Sequence, residues 1–252
     1  MTERLSDEQS APGRGRLLVV VAVAAEAEAV LRGLAGPAPG AVGRLPLPGG
    51  ELHRVTHPSG VTADVLAGGV GPAAAAAATA TALAAHRYDL VVSAGIGGGF
   101  APQAPVGATV LAGAIVAADL GAQTPDGFAD VTELGFGTVR HTPAPAAVAL
   151  AADALGAVTG TVLTVSTVTG GAERAAALTA RHPDAVAEAM EGFGVAEAAA
   201  RYGVPAFELR TVSNPVGPRD RAAWRIGEAL AALERAFAAL PCPEFLKEAR
   251  RG

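Results

Sequence analysis

The run LLVVVAV, residues 17–23, constrains this chain most, because it contains no polar position. A strand with one wet face alternates polar and apolar residues; an unbroken apolar strand must be covered on both faces. AEAEAVLRGL (25–34) follows at once with helical spacing. The same step from buried strand to helix recurs along the chain. YDLVVSAG (88–95) is a second buried strand, and GTVLTVSTVTG (160–170) leads into the helical GAERAAALTARHP (171–183). GVGPAAAAAATATALAAH (69–86) is Gly-rich and then helical, with Pro72 suited to a first helical position. ELHRVTH (51–57) and VTADVLAG (61–68) flank Pro-Ser-Gly as a hairpin. Residues 108–119 read as a strand, 120–140 as irregular, 142–155 as a helix, and 219–240 as the longest amphipathic helix, carrying Trp224. Strands alternating with helices predict a three-layer α/β fold, whose ligands gather at the carboxyl ends of the strands. Residues 1–16 read as a disordered tail, 17–240 as one domain and 241–252 as a C-terminal tail.

Composition removes several classes of function. The net charge is −5 and basic residues cluster only at the two ends, which argues against a nucleic-acid groove. Cys242 is the single cysteine, and the five histidines show no metal-ligand spacing. No unbroken apolar run reaches membrane-spanning length, and the polar N-terminus is unlike a signal peptide. A cytoplasmic location is expected.

Three strand ends carry unusual residues. VAVAAEAE (21–28) places Glu26 and Glu28 in a first helical turn, where the macrodipole alone could favour acids. SAGIGGGF (93–100) runs a strand into glycines, which opens backbone N–H groups to a ligand, although a tight turn would use the same residues. AEAMEGFGVAEAAARYGVPAFELRTVSN (187–214) is a strand, a helix and a strand, with Met190-Glu191 at the first junction and Arg210 and Asn214 on the second strand. Glu191 also suits a helix start, and Asn-Pro also suits a turn.

Taken together and in this order, VAVAAEAE, GGVGPAAAAAAT, VVSAGIGGGF, STVTG, AMEGFGVAEAA and LRTVSN resemble the nucleoside phosphorylase/hydrolase superfamily, in its methylthioadenosine/S-adenosylhomocysteine nucleosidase branch. AMEGFGVAEAA followed by RTVSNPVGPRDRAAW is most similar to the futalosine hydrolases, enzymes of an alternative menaquinone pathway. The resemblance implies a central mixed, partly barrel-like twisted sheet between helical layers. It also implies a purine nucleoside as substrate, no metal, no organic cofactor, and a homodimer or larger homo-oligomer. By the same resemblance Glu28 matches the glutamate that activates the hydrolytic water, with Glu26 as the neighbouring alternative. Arg210 matches an arginine that orients the water and its base. Glu191 matches the glutamate that binds the ribose hydroxyls, and Met190 packs on the sugar. Gly97 and Gly98 lie beside ribose and base. Ser166, Val168 and Thr169 belong to the segment lining the purine pocket.

The sequence departs from the adenine-cleaving pattern at Asn214, where those enzymes carry an aspartate. Breaking an N-glycosidic bond builds negative charge on the departing purine. Adenine leaves poorly unless N7 is protonated, which a carboxylic acid can do and an amide cannot. A 6-oxopurine spreads that charge onto O6, where an amide N–H suffices. Asn214 therefore points to a hypoxanthine-type base. Hydrolysis is favoured over phosphorolysis because GGVGP and SAGIGGGF carry no arginine for phosphate, leaving only Arg44 and Arg54 as donors from a partner chain. Arg219 and Trp224 read either as a charged surface and core packing, or as a segment closing over a carboxylated aromatic tail of the substrate, with the arginine on the carboxylate. An adenine-releasing nucleosidase, a phosphorylase and a non-catalytic nucleoside-binding protein remain as alternatives.

Overall fold

A computed structural model of the chain describes residues 15–36 and 42–251. Residues 1–14 of the expected N-terminal tail lie outside them; Arg16 already opens the first strand. That strand, β1 (Arg16–Val21), is buried at every position after Arg16. It is covered as its composition requires, pairing in parallel with β4 (Thr62–Ala67) on one side and β5 (Leu90–Gly99) on the other. Beyond β4 lie β3 (Gly50–Thr56) and β2 (Gly43–Leu47), both antiparallel. The hairpin of β3 and β4 matches the sequence expectation. Edge strand β2 has no counterpart there, since Pro46 interrupts its pattern and only Leu47 is buried.

On its other side the sheet curls and closes. β5 pairs with β12 (Ala206–Pro215), β12 with β6 (Thr109–Ala117), β6 with β10 (Val158–Thr164), and β10 with β11 (Ala185–Ala189). β11 then returns to β5 through Glu188–Gly98 and Ala187–Gly99. These five strands form a barrel, mixed because β12–β6 and β11–β5 are antiparallel. This is the nucleoside phosphorylase/hydrolase fold.

Helices cover both faces. α1 (Ala24–Ala35) packs with α6 (Ile226–Ala239) on one side, joined by α3 (Pro145–Leu155). α2 (Pro72–Ala85) packs with α5 (Gly192–Arg201) on the other. Side chains of β1 divide between the two layers: Leu17, Val19 and Val21 face α1 and α6, while Leu18 and Val20 face α2 and α5. α4 (Ala172–Arg181) presents one buried residue, Leu178, to the barrel.

Three segments differ from the sequence reading. The stretch 120–140 contains a small hairpin, β7 (Gly121–Thr124) with β8 (Gly127–Asp130), and a short β9 (Arg140–His141) paired to β6. The helix expected over 219–240 starts only at Ile226, so Trp224 precedes it in extended backbone. Asp220 accepts a hydrogen bond from the Ala222 N–H at 3.0 Å, and the Arg225 N–H donates to the Ser213 carbonyl at 2.8 Å. The first closes a local turn and the second ties the segment to the end of β12 instead of extending the helix. Residues 242–249, expected within a tail, form α7 (Cys242–Ala249). It buries Phe245 edge-on against Phe207, with ring centroids 4.8 Å apart. Among the described residues no helix is long and apolar enough to cross a membrane.

Candidate active site

The unusual strand ends meet at one cavity of about 370 Å³, where β1, β5, β11 and β12 finish. Its carboxylate from the first strand–helix junction is Glu26, 3% exposed. One carboxyl oxygen accepts the N–H groups of Ala22 and Val23 at 2.9 and 3.2 Å; the other accepts the Ile96 N–H at 2.9 Å. Three backbone donors from two segments thus fix its position. Glu28, assigned to the water by resemblance, lies outside the cavity. Its side chain is 71% exposed and lies 4.0 Å from Arg32. Two residues along a helix turn the side chain by about 200°, so only one of the pair can face the cavity. The structure places Glu26 there.

Behind Glu26 sits Arg210, fully buried, and it does not itself form cavity wall. Its Nε donates to Glu208 at 2.9 Å and its Nη2 to Ser93 Oγ at 2.9 Å, with Glu191 at 3.3 Å. Its Nη1 has no hydrogen-bond partner among the described residues. Nη1 and Glu26 crowd the same point: a Cβ on Gly95 would lie 2.8 Å from the first and 2.5 Å from a Glu26 oxygen. Only glycine fits there, which explains part of the Gly-rich turn. Burial opposes the guanidinium's charge, but Glu208, Glu191 and Glu26 more than offset it and raise its pKa. Burial pushes the Glu208 carboxyl above its ordinary range against the pull of Arg210.

Glu191 lines the cavity at the start of α5 and accepts the N–H of Gly71 at 3.2 Å and of Met190 at 3.3 Å. Gly71 belongs to GGVGP, so that motif positions a cavity carboxylate from across the fold. Met190, Gly97, Gly98, Val168, Thr169, Asn214, Arg219 and Trp224 also line the cavity. Asn214 is oriented by Ser213, whose hydroxyl lies 2.9 Å from its Oδ1, and its Nδ2 donates to the Pro215 carbonyl at 3.1 Å. The Arg219 guanidinium lies 5.2 Å from the Trp224 ring centre. Ser166 is the exception: it is exposed, stays off the wall, and donates its N–H to Asp119 at 2.9 Å.

The sequence reading missed Glu188 and Ser213 on this wall. Only Glu188 left a signal: it is the single polar residue in AVAEA, a strand buried throughout. Arg54, considered as a phosphate donor, is paired with the buried Asp64 at 2.7 Å. Among the described residues no cluster of His, Cys, Asp and Glu could hold a metal ion.

A family model described as the phosphorylase superfamily matches residues 16–243. The futalosine hydrolase of Streptomyces coelicolor is 66% identical over 229 residues, spanning 89% of this chain and 94% of the relative. The futalosine hydrolase of Acidothermus cellulolyticus is 50% identical over 228 residues, spanning 88% and 89%. Among solved structures, a methylthioadenosine/S-adenosylhomocysteine nucleosidase of Colwellia psychrerythraea in complex with adenine superposes with a TM-score of 0.76. It shares 22% identity and covers 94% of this chain and 96% of its own, a likeness of fold.

Proposed function

The chain belongs to the phosphorylase superfamily and, within it, to the futalosine hydrolases; from that membership we propose the following reaction. The enzyme cleaves the N-glycosidic bond of futalosine with water, releasing hypoxanthine and the remaining sugar-linked product, as a step of menaquinone biosynthesis. A cytoplasmic location and a homodimer or larger assembly belong to the same proposal. The observation that carries it is Glu26: a buried carboxylate on the cavity wall, aimed by three backbone N–H groups, with Glu191 and Asn214 on the same wall.

In this reading Glu26 takes a proton from water as the oxygen attacks the anomeric carbon. The carbon–N9 bond breaks through an oxocarbenium-like state, and its electron pair passes to the purine. Glu191 accepts hydrogen bonds from the ribose hydroxyls, and Met190 covers the sugar. Arg210 supports both carboxylates from behind. Asn214 has one N–H committed to Pro215. Its second N–H can stabilise charge on O6 or N7 without a proton transfer. The base then takes its proton from solvent.

Chromatographic product analysis in phosphate-free buffer tests this, with futalosine, inosine and methylthioadenosine offered separately. Hypoxanthine from futalosine, at a rate indifferent to added phosphate, is the expected result. Adenine from methylthioadenosine, or strict dependence on phosphate, would overturn it.

Arg219 gives a second test. It is exposed at the cavity mouth and makes no ion pair among the described residues, so a substrate carboxylate can take it. Arg219→Ala should raise KM for futalosine about three- to tenfold, the range of one partly exposed charge-assisted bond. KM for inosine, which lacks the tail, should stay put; an equal rise for both would remove the assignment.

A further inference from the structure

We propose that Glu188 selects the base: its carboxylate accepts the N1–H of a 6-oxopurine, across the cavity from Asn214, and so disfavours any purine without that N–H. The inference rests on the 6-oxopurine reading of the same cavity and adds a residue to which the reaction above gives no role.

Register puts the two side chains opposite each other. Glu188 on β11 pairs with Gly98 on β5, and Asn214 on β12 pairs with the same Gly98. Paired residues on neighbouring strands project to the same face. The register shifts just before Asn214, but a Cβ on Gly98 would still lie 3.4 Å from Asn214 Nδ2, so Glu188 and Asn214 stand on either side of a position without a side chain, two strand spacings or about 10 Å apart across the sheet. Both line the cavity.

Glu188 also lacks a partner suited to its burial. It is 5% exposed, and none of the ion pairs among the described residues includes it. Buried carboxylates are ordinarily paired with a cation or fully hydrogen-bonded. Among the described residues Glu188 is hydrogen-bonded by Thr169 alone, whose N–H donates to one oxygen at 2.7 Å and whose hydroxyl lies 2.5 Å from the other. A carboxylate offers about four acceptor positions, so about two remain. Burial accordingly pushes its pKa up, against those two bonds. A ligand N–H entering the cavity supplies the missing donor.

Complementarity then follows from the order of groups along the purine edge. A 6-oxopurine presents N1–H, O6 and N7: donor, acceptor, acceptor. The wall presents an acceptor at Glu188 and a free N–H at Asn214. Adenine presents N1 as an acceptor, which faces the Glu188 carboxylate with no donor, and its 6-amino donor stands where the Asn214 N–H would meet O6. A site built around a ligand N–H rejects analogues lacking it more strongly than an apolar pocket rejects a change of size, because its own polar groups are left unpaired.

Calorimetric titration with free bases tests this without relying on turnover. Wild-type protein should bind hypoxanthine about 100-fold or more tighter than 1-methylhypoxanthine, in which the donor is blocked. Glu188→Ala should bring that ratio below about tenfold. Should the alanine variant fail to fold, Glu188→Gln keeps the volume; its amide has one acceptor for Thr169 and the ligand together, so the ratio should still fall about tenfold or more. If either folded variant weakens both bases equally and keeps the ratio, Glu188 serves only to hold Thr169 and the proposal is wrong. If wild-type protein prefers adenine to hypoxanthine, the 6-oxopurine reading fails, and this inference with it.

Discussion

Glu26→Gln should lower kcat by about 10²–10⁴, the usual cost of removing a positioned general base. The substitution preserves shape and removes the site that receives the water's proton. It has a structural cost as well. Both Glu26 oxygens accept backbone N–H bonds, two on one and one on the other. A glutamine can accept through only one of them, which leaves a backbone donor facing an NH2 group and costs about 1–3 kcal/mol. The variant should therefore be folded by circular dichroism, slightly less stable, and nearly silent in hypoxanthine release. Glu28→Gln is the paired control, because its exposed contact with Arg32 at 4.0 Å contributes little. It should match wild-type turnover. An active Glu26→Gln beside a dead Glu28→Gln would return the base to Glu28, against its placement outside the cavity.

Arg210→Met should produce the largest loss of stability in the chain, about 3–5 kcal/mol at neutral pH. Arg210 is fully buried, is paired with Glu208 and Glu191, and also feels the charge of Glu26. Methionine fills a similar volume, so the cost comes from buried charge that has lost its counter-ion. The deficit relative to wild type should depend on pH. Burial already holds the Glu208 carboxyl above its ordinary range, and removing Arg210 raises it further. A raised carboxyl favours the folded state in acid and loses that advantage as pH rises through its folded pKa. The deficit should thus be smallest below about pH 5 and grow toward neutrality. Urea unfolding of both proteins at several pH values measures this. A variant as stable as wild type at pH 7 would mean that the carboxylates do not need the cation.

The contrast between Glu26 and Glu28 shows where the sequence stops being informative. Both acids satisfy the same helix-start rule and lie two residues apart, so no local pattern separates them. The face of α1 that packs on α6 and the sheet decides which one enters the cavity. Trp224 is similar: its spacing suits the helix that follows, and a hydrogen bond from Arg225 to the end of β12 holds it outside that helix. Ser166 falls off the wall because the turn after β10 gives its N–H to Asp119. Helix α7 is only eight residues long, too short for its spacing to register, and it is defined by where Phe245 and Leu246 find a core.

Local pattern gives the alternation of buried strands and helices, and the motif resemblance gives the barrel family and the chemistry expected at the site: two carboxylates, an arginine, a glycine turn and an amide in place of an acid. The alternation is legible because apolar periodicity and turn residues act over a few positions of the chain. Tertiary structure alone decided which acids face the cavity, the burial of Arg210 behind them, and the opposition of Glu188 and Asn214 across Gly98. The last of these depends on β11 closing onto β5, a pairing between residues about ninety positions apart, and the others on how α1 and β12 pack; no local pattern carries information over such distances.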